Sequence, residues 1–353
     1  MPTWTLAPVS PCSVSVAVPD RVVPNTELCE SMEMRTTPEW IAEKTGIMER
    51  RYVADDQDIT GLATEAAERA VAAAGMEPHE VDVLVVGSSS PDWVMPSLGV
   101  IIADSLGITT PRIIDITQHA CASAVYSMYT ASLLLQEDGL ETALVVCAEC
   151  ISRNTHPLDR TTRIFFGDAA GATVLRKTPP EEAPAPGGGA AAPPPVGLLG
   201  YDLGNSYSHA VEMASPSKLC HERAVYGEEV HSRYLQMDGR AVWQEATTQI
   251  PKSIHQALEA SRVDVHDVGG FAVHQANARM VEHIARSIGV DPERMPVTAD
   301  TLGNTGAASP LTSLWRLARD GRVGGGDVLV VSAIGAGFLW GSLCFRLADD
   351  IRV

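Results

Sequence analysis

Hydrophobic and polar positions along the chain fall into a pattern that occurs twice. Residues 62–90, LATEAAERAVAAAGMEPHEVDVLVVGSSS, begin with apolar positions three and four apart, cross a short polar stretch and end in a continuous apolar run. That spacing predicts an amphipathic helix, a loop and a buried strand. Residues 246–277, ATTQIPKSIHQALEASRVDVHDVGGFAVHQAN, read the same way. Each copy is followed by a predicted helix ending in glycine, IIADSLGI and IARSIGV, and then by a short extended segment, 112–117 and 296–300. A turn of small residues next opens a further helix, ACASAVYSMYTASLLLQ beside GAASPLTSLWRLARDG. A second buried strand closes each copy, ALVVCAEC beside VLVVSAIG. The strands are short apolar runs without clean alternation, the mark of sheets covered on both faces by helices. Two copies of helix–strand–helix–strand–helix–strand predict an α/β layered sandwich with a pseudo-two-fold axis. The expected halves are residues 1–177 and 197–353. Between them, TPPEEAPAPGGGAAAPPPV at 178–196 is rich in Pro, Gly and Ala and predicts a flexible surface loop.

Composition narrows the function classes. The chain has 353 residues, 45% of them hydrophobic, with 26 basic against 44 acidic side chains and a net charge of −18. So acidic a chain is poorly suited to nucleic acid or an anionic membrane. The N-terminus lacks a basic start followed by an apolar stretch, and no apolar run reaches 18 residues. Seven scattered cysteines, an odd number, predict reduced thiols in a cytoplasm rather than a disulfide framework. Cys147 and Cys150 form a lone CxxC, which cannot complete a tetrahedral zinc site. Gly335-Ala-Gly337 with Gly341 mimics a dinucleotide loop, but FLWGSLCFRL after it reads as a strand, not a helix.

The chemistry concentrates in three phrases. Cys121 lies in DITQHACASAV (115–125), His274 in VHQAN (273–277) and Asn304 in GNTGAAS (303–309). A thiol, an imidazole and a carboxamide, each at a predicted strand end or turn, suit acyl-thioester chemistry. Cys121 falls at a predicted helix N-terminus, where unpaired N–H groups and the helix dipole favour a thiolate and depress its pKa. Each signal also has a structural reading. Cys121 fits a packed strand–helix junction, His274 a satisfied strand-end residue, and Asn304 a left-handed turn between glycines.

These phrases resemble β-ketoacyl-acyl-carrier-protein synthase III, within the thiolase-like superfamily. The resemblance covers nearly the whole chain. Its further markers are EWIAEKTGI (39–47) with Arg50 and Arg51, DRTTRIFFGDAAGA (159–172) and GAGFLWGS (335–342). It implies a thiolase-like αβαβα sandwich and an enzyme that loads an acyl group from acyl-CoA onto Cys121. That group is then condensed with a malonyl thioester, with loss of carbon dioxide. His274 and Asn304 would donate hydrogen bonds to the enolate. The backbone N–H groups of Cys121 and Ala336 would stabilise the oxyanion formed when the acyl carbonyl is attacked. For acyl-CoA it implies Trp40 and Arg160 at the adenine, Lys44 at phosphate, and Gly239 and Asn277 along the pantetheine arm. Met95 would reach into a homodimer partner's acyl pocket, with Ile334 beside the site of decarboxylation. Arg279 and Arg286 would contact an acyl carrier protein. No cofactor or metal is implied beyond acyl-CoA as substrate.

The sequence departs from the family's pattern in three places. The stretch from Asp115 to Cys121 is one residue longer than is typical, with Gln118 and His119 in place of small residues. Ile334 replaces a Phe usual in condensing members. The carrier-protein patch is thin, with Gln244 for a basic residue and Glu282 opposing. These changes point to a specialised biosynthetic pathway, with fatty acid or polyketide chemistry as the frame. They also keep a second outcome open, in which the acyl group passes to an alcohol, an amine or a carrier-protein thiol without condensation. His119 is expected on the wall of the acyl tunnel, with a second acid/base as the alternative role.

Overall fold

The computed structural model describes residues 7–31, 36–110, 112–178 and 195–353. The loop expected at 178–196 falls almost wholly outside the described residues.

Strand pairing makes the repeat visible. One sheet has five strands in the order Val9–Ala17, Asp168–Lys177, Thr142–Cys150, Val83–Gly87, Ile113–Ile116. The other has four, in the order Gly197–Asn205, Leu339–Arg346, Val328–Gly335, Val268–Val273. Taken in these orders the first four strands of one sheet correspond to the four of the other. Val83–Gly87 runs parallel to Thr142–Cys150, as Val268–Val273 does to Val328–Gly335. The remaining pairs, toward Val9–Ala17 and Gly197–Asn205, are antiparallel in both sheets.

The second sheet lacks a counterpart to Ile113–Ile116, and this corrects the extended reading of 296–300. Ala299–Leu302 is a short helix. The Gln275 side chain supplies what a strand ladder would otherwise supply. Its Oε1 accepts from Thr298 N at 2.9 Å, and its Nε2 donates to Pro296 O at 3.2 Å. With its backbone groups met by a side chain, the segment needs no sheet partner.

The apolar runs lack alternation because each strand is buried on both faces. In Val83–Gly87, Val83 and Val85 face the central layer while Leu84 and Val86 face the outer one. In Val328–Gly335, Leu329, Val331 and Ala333 face the centre and Val328, Val330 and Ile334 the outside. Helices Ser123–Leu134 and Ser309–Arg319 lie between the sheets, where Val125, Met128 and Ala131 join Leu311, Leu314 and Leu317 in one core. Ile59–Ala73 and Leu98–Leu106 cover the outside of the first sheet, and Gly239–Ser261 and Ala278–Ser287 the outside of the second. The result is five layers, αβαβα. Each fully buried Val or Leu contributes about 1.5–3 kcal/mol, so burial on both faces makes these strands a large share of the core.

The lone CxxC resolves into two unrelated thiols. Cys147 and Cys150 are an odd number of residues apart on one strand, so Cys147 faces the central layer and Cys150 the outer one.

Candidate active site

The chemistry-bearing residues sit where strands hand over to turns at one end of the sandwich. Val83–Gly87 is followed by Ser88, and its counterpart Val268–Val273 by His274. Both central helices begin alike, with a three-residue 3₁₀ turn, Ala120–Ala122 or Gly306–Ala308, running into Ser123 or Ser309. Gly87 permits the close approach of the first helix, since a Cβ there would lie 2.7 Å from Ser123 Cβ.

Cys121 occupies the middle of its turn, after Ala120 in the left-handed region at φ 46°. Gly335, at the end of the matching strand of the other sheet, packs directly on this turn. A Cβ at Gly335 would collide with His119 O and come within 2.8 Å of Ala122 N and 3.1 Å of Cys121 N. Only glycine therefore lets this strand end pack on the turn that carries Cys121.

The thiol's electrostatics overturn the expected pKa depression. Enclosure by protein, and then the neighbouring carboxyl of Glu149, push the Cys121 thiol up to about 12. Desolvation disfavours the charged thiolate. Glu149 is itself fully buried and binds the turn after Val83–Gly87, accepting from Ser89 N at 3.0 Å, Ser89 Oγ at 2.8 Å and Ser90 Oγ.

His274 is buried, and desolvation lowers its pKa to about 3, so its imidazole is neutral across the physiological range. Its Nδ1 lies 2.6 Å from Ser309 Oγ, which also accepts from Gln275 N at 3.2 Å. With one lone pair taken by Gln275, the Ser309 hydroxyl has His274 Nδ1 as its only acceptor among the described residues. Donation to Nδ1 places the imidazole proton on Nε2.

Asn304 is oriented by a similar device. Its Oδ1 accepts from Gly306 N at 2.9 Å, which leaves the amide N–H groups pointing the other way. Its backbone is held by Phe165 O at 2.8 Å and Gly167 N at 3.0 Å. Below that loop the guanidinium of Arg50, with no exposed surface, donates to Ile164 O at 2.8 Å and Asn25 Oδ1 at 2.8 Å.

Cys121, His274 and Asn304 all line one cavity of about 810 Å³. Lys44, Gly239, Asn277, Ile334 and Ala336 line it too. Sequence reasoning missed much of the wall, notably Ile151, Phe165, Phe166, Met213, Leu235 and Trp243. It also missed Ser309 and Glu149 as supports. Ser309 lies inside the GNTGAAS phrase but has no local signal, because its partner belongs to another strand.

The 3-oxoacyl-[acyl-carrier-protein] synthase III model matches residues 114–186, and the C-terminal model of the same enzyme matches 258–347. A β-ketoacyl-[acyl-carrier-protein] synthase III of Bordetella petrii is 34% identical over 94% of this chain and 95% of its own. The chain belongs to the β-ketoacyl-[acyl-carrier-protein] synthase III family. Its fold follows suit. The 3-oxoacyl-(acyl carrier protein) synthase III of Pseudomonas aeruginosa PAO1 superposes with TM-score 0.83 at 29% identity, covering 98% of this chain and 99% of that one. The priming β-ketosynthase of the R1128 polyketide pathway superposes with TM-score 0.85 at 29% identity, covering 98% of each. The thiolase-like sandwich implied by the sequence is the one observed.

The other residues expected at the site divide between the cavity wall and the surface around it. Trp40 and Arg160 do not line it but meet each other, the guanidinium 5.6 Å from the indole centroid. Lys44, on the cavity wall, pairs with Glu43 at 2.8 Å. Asn277 caps the helix Ala278–Ser287, accepting from Met280 N at 2.9 Å. Arg279 and Arg286 lie outside the cavity on the same helix, and Arg279 is held by Glu282 at 3.3 Å. Met95 is 81% exposed and absent from the wall of its own chain's cavity. His119 corrects the expected tunnel wall. It does not line the cavity and instead meets Tyr126 in a tilted ring contact, centroids 4.6 Å apart. Gln118 takes the place on the wall.

Among the described residues no helix is long and apolar enough to cross a membrane, and no group of three or more His, Cys, Asp or Glu is placed to hold a metal.

Proposed function

We propose that this enzyme takes an acyl group from acyl-CoA onto Cys121 and condenses it decarboxylatively with a malonyl thioester. The observation that carries the reading is the paired orientation of His274 and Asn304. Ser309 presents the Nε2–H of one, and Gly306 N–H presents the amide of the other, to the cavity that holds the thiol. Two neutral donors are what an enolate needs, and fixed donors in a dry site need no reorganisation during reaction.

In the loading step the Cys121 sulfur bonds to the acyl carbon and the bond to coenzyme A sulfur breaks. The thiol proton ends on the released coenzyme A. The transient oxyanion is assigned to the N–H groups of Cys121 and Ala336. The malonyl thioester then loses its carboxylate as carbon dioxide, and the resulting enolate is held by His274 and Asn304. Its carbon attacks the acyl-Cys121 carbonyl, a carbon–carbon bond forms, and Cys121 leaves as thiolate and regains a proton from solvent water. Residues 1–177 thus supply the nucleophile and residues 197–353 the two side-chain donors.

Acyl-CoA is assigned to an entry running past Trp40, Arg160 and Lys44, with Gly239 and Asn277 along the pantetheine arm. An acyl carrier protein is assigned to the face bearing Arg279 and Arg286. A homodimer is assigned through Ile113–Ile116. This edge strand stays half-buried at all four residues in one chain, and Trp93, Val94 and Met95 are exposed. Pairing would remove an open sheet edge and bring Met95 to the partner's acyl pocket. A cytoplasmic location follows from the reduced cysteines and the coenzyme A substrate.

Intact mass after incubation with acyl-CoA, followed by carbon dioxide release from malonyl thioester, tests the reading. Cys121→Ala abolishes the adduct. His274→Ala and Asn304→Ala each slow decarboxylation by about 100-fold, one donor's worth of about 3 kcal/mol, while retaining acyl loading. An ester or amide product without carbon dioxide would replace condensation by simple acyl transfer.

A further inference from the structure

We propose that Gln118 makes the acyl site selective for acyl groups carrying an oxygen substituent near the thioester carbonyl, such as β-hydroxyacyl groups, over saturated ones. The inference rests on acyl loading at Cys121 and specifies what is loaded.

The stretch leading to the nucleophile is pinned at both ends. Asp115 accepts from Gly99 N at 3.0 Å, and Gly335 packs on the turn at Cys121. The chain between must bulge, and it does so with a bend at Gln118 and a left-handed Ala120. The bulge sends His119 away to Tyr126 and Gln118 onto the cavity wall, three residues from the thiol. Thr117 lines the same wall and donates to Gln118 Oε1 at 2.8 Å. That bond fixes the carboxamide with its oxygen occupied and its NH₂ unpaired among the described residues. Ser89 lines the cavity as well, but its Oγ is spent on Glu149. Pro91, Val94, Ile151 and Ile334 give the same cavity an apolar share. An unpaired donor on the cavity lining rewards a ligand that brings an acceptor and penalises one that covers the donor with methylene groups. A site built to hydrogen-bond a hydroxyl rejects its deoxy analogue strongly, whereas an apolar pocket scarcely discriminates.

The test is a competition at equal concentrations of butyryl-CoA and β-hydroxybutyryl-CoA, with the Cys121 adducts resolved by intact mass. The wild-type enzyme is expected to favour the hydroxybutyryl adduct by about tenfold or more. Gln118→Leu is expected to reverse the preference, with unchanged melting temperature because the side chain is exposed. Gln118→Glu, which removes donors but keeps polarity, also loses the preference. An identical product ratio in wild type and Gln118→Leu, or a wild-type preference for butyryl, overturns the proposal and leaves acyl loading intact. No adduct from either thioester, with Cys121 still open to iodoacetamide, overturns acyl loading and this proposal together.

Discussion

Ser309→Ala is the sharpest probe of the site, because it touches no substrate yet governs the proton on His274. The Ser309 hydroxyl lies 2.6 Å from His274 Nδ1 and 3.2 Å from Gln275 N, and all three residues are buried. Alanine leaves the ring nitrogen and the amide without a partner, at a cost of about 1–3 kcal/mol for each group left unsatisfied. Part of that cost appears as lost stability. The rest appears at Nε2, since nothing then holds the proton there or fixes the ring. A loss of about 1.4 kcal/mol in enolate stabilisation corresponds to about tenfold in rate. Carbon dioxide release from malonyl thioester should fall by about tenfold in Ser309→Ala, while acylation of Cys121 changes little. A general loosening of the fold would slow both steps, so their divergence separates positioning from structure. Nitrogen-15 spectra of the histidines supply the direct readout, with the Nε2–H tautomer of His274 dominant in the wild type and mixed in the variant. Ser309→Thr, which restores the hydroxyl, should recover both signals. A variant that decarboxylates at the wild-type rate and keeps a pure Nε2–H tautomer would refute the argument.

Three further outcomes follow from the burial of charged or ionisable groups. Alkylation of Cys121 by iodoacetamide should rise about tenfold per pH unit from 6 to 9 without a plateau, since a thiol pKa of about 12 keeps the thiolate scarce throughout; a plateau below pH 8 would restore the activated-thiolate picture. His274 has a folded pKa of about 3 against 6.5 for the free side chain, so between these values the unfolded chain binds the extra proton. Its contribution to stability is therefore complete above pH 6.5 and falls by about 1.4 kcal/mol per pH unit below it; urea midpoints of His274→Gln should show a shallower acid decline than wild type. Arg50→Ala should cost about 3 kcal/mol or more, read as a lower melting temperature, because it strips donors from Val23 O, Asn25 Oδ1 and Ile164 O; an unchanged melt would show that these acceptors find water.

The sequence by itself determined the repeated α/β plan and the three phrases that meet at the site. Continuous runs such as VLVVG and VLVVSAIG are legible because burial on two faces erases alternation, and the small-residue turns are legible because only such residues start a helix hard against a strand. Segment 296–300 was misread because what it pairs with, the Gln275 side chain, is 21 residues away from Pro296 and leaves no periodic mark. The outermost strands, Val9–Ala17 and Gly197–Asn205, are recognised through partners far along the chain, Asp168–Lys177 and Leu339–Arg346. Tertiary structure alone decided the ionisation of the site. A helix start argues for a thiolate at Cys121, but a pKa answers to everything around the group, and burial beside Glu149 pushes this one up. It likewise decided that Gln118 rather than His119 faces that cavity, because the direction of a side chain in a bulged turn depends on how both ends of the turn are pinned.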